Sequence, residues 1–364
     1  MSLEVLCTTS WRKTGLSLRC DRLSLLWHSA DFGRLRVSHY QIGAESAHYV
    51  ALPPDARIGR RKIVQAHGRF GAKLAAAGND VSFVARGAHL DAIRKNGLKI
   101  KSDLGDIIVD PAKASDDPRD FRIADIILFC VKAFDTEKAA ELIRPCIGPE
   151  TGVIPFLNGI GHMKTLEERL GTSHVLGGVA NVSALIEKPG VVRHFGQMQI
   201  LRVGEMDDSE SLRVTHFRQA CIAAGFEAPI PNSIERELWQ KVVMICTLAG
   251  VNCLTRLPLG DCRSNPLSRS LMETLASEVI TVARATGVSL PDDQLGRTMN
   301  VLDMLPADMK ASMLAALERG ERLESTALNG EIDRLGQEIG VDTSMNRAVH
   351  TALAPHENGT TENA

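Results

Sequence analysis

From about residue 62 the apolar positions alternate between two rhythms. Residues 81–86 (VSFVAR) collect β-branched and aromatic side chains, which predicts a strand. Residues 124–132 (ADIILFCVK) form a near-continuous apolar run, the pattern of a parallel strand buried on both faces, and residues 152–157 (GVIPFL) predict the next strand. Between them, residues 71–78 (GAKLAAAG) read as a short helix closed by glycine, and residues 136–143 as another. Strand, helix, strand, helix in this order predicts a doubly wound sheet with right-handed crossovers. Residues 175–185 and 191–201 predict two later strands in a hairpin around Pro189-Gly190.

The pattern changes at Pro229-Ile-Pro-Asn232, which reads as a linker. Beyond it the spacing is helical. Leu271, Leu275, Val279 and Val282 share one face of a helix that Gly287 stops. Asp308 is placed to cap a helix carrying Met309, Met313, Leu314 and Leu317, ended by Gly320. Leu323, Ala327, Leu328, Ile332, Leu335 and Ile339 line a further helix, ended by Gly340. The expected fold class is α/β, an N-terminal Rossmann-like doubly wound sheet (62–230) plus an all-α C-terminal domain (231–355), with a loose tail at 356–364. Residues 1–61 show no sustained period and are expected to be a poorly ordered extension. The first forty are rich in Arg, Ser and Leu, with Glu4, Asp21 and Asp31 as their acids. Such a leader reads either as a transit peptide or as a segment never selected to fold, as a misassigned start or shifted frame would leave.

Composition narrows the function classes. The chain has 364 residues, enough for two domains with a large core, and a net charge of −2, which argues against nucleic acid or an anionic membrane as partner. Aromatics at 4% argue against a base-stacking surface. The eight cysteines contain no Cys-x-x-Cys pair and lie mostly in apolar segments, as expected of reduced thiols in the cytoplasm. No uncharged run reaches the roughly eighteen apolar residues of a membrane helix.

A doubly wound sheet binds ligands at the carboxyl ends of its strands, where their order reverses. Arg86, Lys132, Asn158 and Ala184 stand at such ends. An acid at the position of Arg86 takes ribose hydroxyls in NAD-binding sheets, whereas an arginine suits a 2′-phosphate. Alone, Arg86 is equally a solvated strand-end residue, and Asn158-Gly159 equally a good turn. In the helical half, Lys241 stands at the mouth of a run without charge from Val242 to Thr255. It either snorkels to water or is desolvated, and desolvation makes a lysine a proton donor near neutral pH. Glu324 lies one position off an apolar face and is locally indistinguishable from a surface carboxylate, as Ser312 is from a cap.

Together the runs GAKLAAAG, DVSFVARGAHLDAIRKNGLKI, DIILFCVKAFDT, FLNGIGH, ELWQKVVM, DMKASMLAALERG and LESTALNGEI resemble the ketopantoate reductase (2-dehydropantoate 2-reductase) family, in its order and spacing, from about Gly68 to Leu353. The resemblance implies NADPH-dependent reduction of 2-dehydropantoate to pantoate, a step toward pantothenate and coenzyme A, by a monomer or homodimer. It assigns Lys241 as catalytic proton donor and Glu324 as the carboxylate that holds cofactor and site geometry. It gives Arg86, Lys132, Asn158 and Ala184 as cofactor contacts, and Asn158, Lys241 and Ser312 as contacts to the 2-oxo acid substrate; no metal is implied. The chain departs from the family in three places. The fingerprint glycines fall at Lys62, Val64 and His67, so side chains would crowd the pyrophosphate. Two asparagines that some members carry after the lysine are Ile245 and Ala249, and an acid expected after the glutamate is Thr326. The abrupt onset of the resemblance at Gly68 favours the misassigned-start reading of the leader. These departures leave two alternatives: a reductase of another 2-oxo acid, or a non-catalytic relic that has lost cofactor binding.

Overall fold

The structure, a computed structural model, describes residues 36–42, 45–51, 62–65 and 68–360. Within the first sixty residues the backbone forms an antiparallel hairpin of β1 (Arg36–Ile42) and β2 (Glu45–Ala51), with Ile42 opposite Glu45. Val37, Tyr40, Ile42, Tyr49 and Val50 supply β-propensity to these two strands. The rest of that leader and the last four residues lie outside the described residues.

The second unit begins with the doubly wound sheet. In chain order its first half comprises β3 (Lys62–Gln65), α1 (Gly68–Ala76), β4 (Asp80–Val84), α2 (Gly87–Asn96), β5 (Leu98–Ser102), β6 (Ile107–Val109) and β7 (Lys113–Ser115). Then follow β8 (Ile126–Phe129), α3 (Thr136–Ile143), β9 (Gly152–Pro155), α4 (His162–Leu170), β10 (Leu176–Lys188), β11 (Val191–Glu205) and α5 (Leu212–Ala223). Five strands pair in parallel in the order β7-β4-β3-β8-β9, so the strand order reverses between β3 and β8. Every residue of β8 and β9 is buried, which is why both read as unbroken apolar runs.

The first strand and the glycine loop require a correction. Lys62 and Val64, aligned by resemblance with loop glycines, lie inside β3 and pair with Asp80 and Ser82 of β4. The connection to α1 is therefore residues 66–67, outside the described residues. The expected hairpin is present, β10 against β11, with Lys188 opposite Val191. Ala184 does not close its strand as expected; it pairs with His194 in mid-hairpin, because the turn comes only at Pro189-Gly190. A second sheet, β10-β11-β5-β6, was not read from the sequence.

From Ile234 the fold is helical. The set is α6 (Ile234–Thr255), α7 (Leu259–Ser264), α8 (Pro266–Ala285), α9 (Gln294–Met304), α10 (Ser312–Glu318), α11 (Glu331–Ile339) and α12 (Ser344–Leu353). Helix α6 is the spine: it packs on α8, α9, α10 and α12 and also on the β10–β11 hairpin. Ser233 caps its start, accepting from the Arg236 amide, and Glu235 and Glu237 suit the positive end of the helix dipole. By length and composition α6 could cross a membrane, yet most of its apolar window is buried inside the fold. Asp308 does not cap α10, which starts after Ala311; Met309 instead closes a turn onto the Pro306 carbonyl. The helix expected from Leu323 is split into a π-helical turn, Thr326–Gly330, followed by α11.

Candidate active site

Four of the predicted site residues converge where the carboxyl ends of β8 and β9 meet the helical half. The first link is Glu324, which is 7% exposed. One carboxylate oxygen accepts from Lys132 Nζ at 2.8 Å, the other from the Ala133 backbone N–H at 3.0 Å. Both partners follow β8, so a carboxylate from the helical half is fixed at a strand end of the sheet. The π-helical turn begins two residues later, a distortion common at functional sites.

The second link is the turn after β9. Asn158 opens it, and Gly159 adopts φ +85°, a conformation that favours glycine. A Cβ on Gly159 would also lie 2.4 Å from the Ala327 carbonyl oxygen. Gly159 is thus demanded twice, once by the turn and once by close approach to the π-helical turn.

Lys241 completes the group. It lies about two turns into α6, half-buried, with Nζ 3.5 Å from the Leu157 carbonyl beside Asn158. Burial lowers its pKa from 10.5 to about 8, while Cys130 and Glu324 act in the opposite direction. Burial pushes the Cys130 thiol up, so it stays neutral and Glu324 is the effective counter-charge. A lowered pKa brings the amine closer to the range in which a lysine can act as a general acid.

A cleft of about 500 Å³ adjoins this group, and Asn158 and Glu324 stand in its wall. Lys241, Lys132, Arg86, Ala184 and Ser312 do not line it. Arg86 follows β4 on the far side of β3 and faces Asp135 at 3.8 Å. Ser312 is exposed at the start of α10, and Ala184 stays in the second sheet; neither joins the cluster. Of the departures, Ile245 is half-buried against the helical core, and Ala249 is fully buried within it. Beside Thr326 a carboxylate does arrive, from Glu357, which accepts from the Thr326 amide and the Ser325 hydroxyl and lines the cleft.

Sequence reasoning missed His162, the last residue of FLNGIGH. It lines the cleft, is 6% exposed, and neither ring nitrogen has a protein partner. Burial, then the charge of Lys241, lowers its pKa to about 3, so it is neutral at working pH. A polar residue directly after the strand-end turn was the available signal.

The residues at the strand ends suit a nicotinamide dinucleotide in their donor chemistry. Arg86 and Lys132 are cations with 80% and 52% of their side chains exposed, on either side of the point where strand order reverses. A Cβ on Gly68 would come within 3.0 Å of Val192, so this glycine serves the close packing of α1 on the second sheet.

Comparison with known proteins identifies the family and the fold. The family described as ketopantoate reductase PanE/ApbA matches residues 68–208, and its C-terminal counterpart matches residues 233–357. The chain belongs to the ketopantoate reductase family. A 2-dehydropantoate 2-reductase from Archaeoglobus fulgidus is 32% identical over 290 residues, 79% of this chain and 94% of that protein. An uncharacterized oxidoreductase of Bacillus subtilis, YkpB, is 27% identical over 290 residues, 80% of this chain and 95% of its own length. The crystal structure of a PanE/ApbA family ketopantoate reductase from Ralstonia eutropha JMP134 superposes with a TM-score of 0.74 at 30% identity, covering 81% of this chain and 98% of that one. The chain is thus an oxidoreductase of a family built on NAD(P)-binding Rossmann folds, and the family match starts at Gly68, where the resemblance began.

Proposed function

We propose that this chain reduces 2-dehydropantoate to pantoate with NADPH, on the cytosolic route to pantothenate and coenzyme A. The observation that carries the reading is Lys241, a desolvated ammonium held against the Leu157 carbonyl beside Asn158, with Glu324 as counter-charge. NADPH supplies the hydride. Lys241 Nζ gives its proton to the substrate oxygen as negative charge develops there, a general-acid role. Asn158 offers its amide to substrate and nicotinamide. Glu324, pinned by Lys132 and the Ala133 amide, orients the site and holds Lys241 protonated. Arg86 meets the 2′-phosphate. Ser312 and Ala184 are left out of this reading, because neither joins the cluster.

The test is NADPH oxidation by the full chain with 2-dehydropantoate; no turnover with this substrate overturns the assignment. A second reading, another 2-oxo acid, is favoured by Ile245, an apolar half-buried residue one turn beyond Lys241. A panel of 2-oxo acids with apolar and hydroxylated side chains separates the two. The six described cysteines are free thiols, in keeping with a cytosolic setting.

A further inference from the structure

Arg86 and Asp135 come from opposite sides of the reversal point. Arg86 follows β4, and Asp135 precedes α3, after β8; the central strand β3 lies between. Strands two positions apart are separated by about 10 Å, so the two side chains reach toward each other over the carboxyl end of β3. Their charged groups meet at 3.8 Å. A dinucleotide bound at the reversal point runs across that same strand end.

Asp135 occupies the N-cap position of α3, where an aspartate usually accepts from the helix amides. Here it makes no such bond; its carboxylate faces Arg86 instead. With 37% of its side chain exposed it remains accessible to a ligand. An acid at this point has two effects on a bound nucleotide. It competes with a 2′-phosphate for the guanidinium and repels that phosphate. It also offers an acceptor to a free ribose hydroxyl, the role acids play in NAD-binding sheets.

We propose that Asp135 is a cofactor-specificity residue: by engaging Arg86 across the end of β3, its carboxylate reduces the preference of this chain for NADPH over NADH. The inference rests on the reductase reading above. It names a residue that weakens the very contact assigned to Arg86, and it turns cofactor choice into a balance between two side chains.

Binding, not turnover, is the readout. The full chain is titrated separately with NADPH and NADH, following nucleotide fluorescence, as wild type, Asp135→Asn, Asp135→Glu and Glu137→Gln. Asparagine keeps the capping ability of the position, so the fold is retained. Asp135→Asn is expected to raise the ratio of NADPH to NADH affinity about fivefold, a modest change because the pair is solvated and screened. Asp135→Glu should stay near wild type. Glu137→Gln removes the same charge two residues away, on a side chain paired with Arg169, and should change both affinities alike. An Asp135→Asn ratio equal to that of wild type or of Glu137→Gln overturns the proposal while leaving the reductase reading intact. Failure of the wild type to bind either nucleotide overturns both.

Discussion

Replacing Lys241 by methionine is expected to move activity and stability in opposite directions. The ammonium is held in a site that lowers its pKa from 10.5 to about 8, so the fold disfavours the charged form by roughly 3 kcal/mol at 1.36 kcal/mol per pH unit. The penalty is fully present below pH 8, where folded and unfolded chains both carry the proton. Between pH 8 and 10.5 the unfolded lysine keeps its proton while the folded one has lost it, so the wild type gains stability over that window. Methionine, of similar reach and no charge, removes the penalty. Lys241→Met should therefore be more stable than wild type by about 1–3 kcal/mol at pH 7, with the gap closing toward pH 10.5. Turnover should fall about 10²- to 10⁴-fold, the usual contribution of a positioned acid. In the wild type, kcat/KM should be flat below pH 8 and decline above it as the donor empties. Denaturant titrations of both proteins at pH 7 and pH 10, with initial rates across the range, check all three statements. A Lys241→Met protein less stable than wild type at pH 7, with undiminished turnover, would refute the desolvated-donor account.

Three further outcomes follow from the same geometry. Glu324→Gln keeps an acceptor for the Ala133 amide but removes the counter-charge of Lys241, so the alkaline limb of the kcat/KM profile should move to lower pH; an unmoved limb would mean the two groups are not coupled. Gly159→Ala places a Cβ against the Ala327 carbonyl in a positive-φ turn, and should cost about 3 kcal/mol or more in denaturant titration, with loss of activity; near-wild-type stability would show that the contact relaxes freely. His162→Phe removes two buried, unpartnered ring nitrogens. Because the folded pKa is depressed to about 3, wild-type stability should fall as pH drops from 6.5 toward 3 while the unfolded chain takes up a proton; the phenylalanine variant should lose that part of the slope.

The elements readable in advance were those whose pattern is set by their own burial. Strands β8 and β9 are covered on both faces, and α3 was placed at its observed limits because its apolar period is local. The hairpin was found through Pro189-Gly190, but its true length was not: β10 runs on past Leu185 through exposed Ile186 to Lys188, and β11 past Leu201 to Glu205. Of the candidate site, Lys241 and Glu324 were ambiguous taken singly, since what distinguishes them is each other's position and the Lys132 contact from 192 residues away. His162 and Asp135 were passed over for the same reason. One is defined by partners it lacks, the other by an arginine across a strand that does not touch it in sequence. The capping role given to Asp308 failed because local capping chemistry competes with turns, and here the turn onto Pro306 prevails.

The π-helical turn beside Glu324 bears on how this site can change over time. Such a turn is an α-helix holding one surplus residue, and a helix advances by about 100° per residue. Deleting a single residue from Thr326–Gly330 would restore regular winding and swing Glu324 by about that angle relative to α11, away from Lys132 and the Ala133 amide. The position of the carboxylate is thus stored as a matter of phase, in chain length rather than in residue identity. Relatives could keep every side chain named above and still lose the contact through one missing codon.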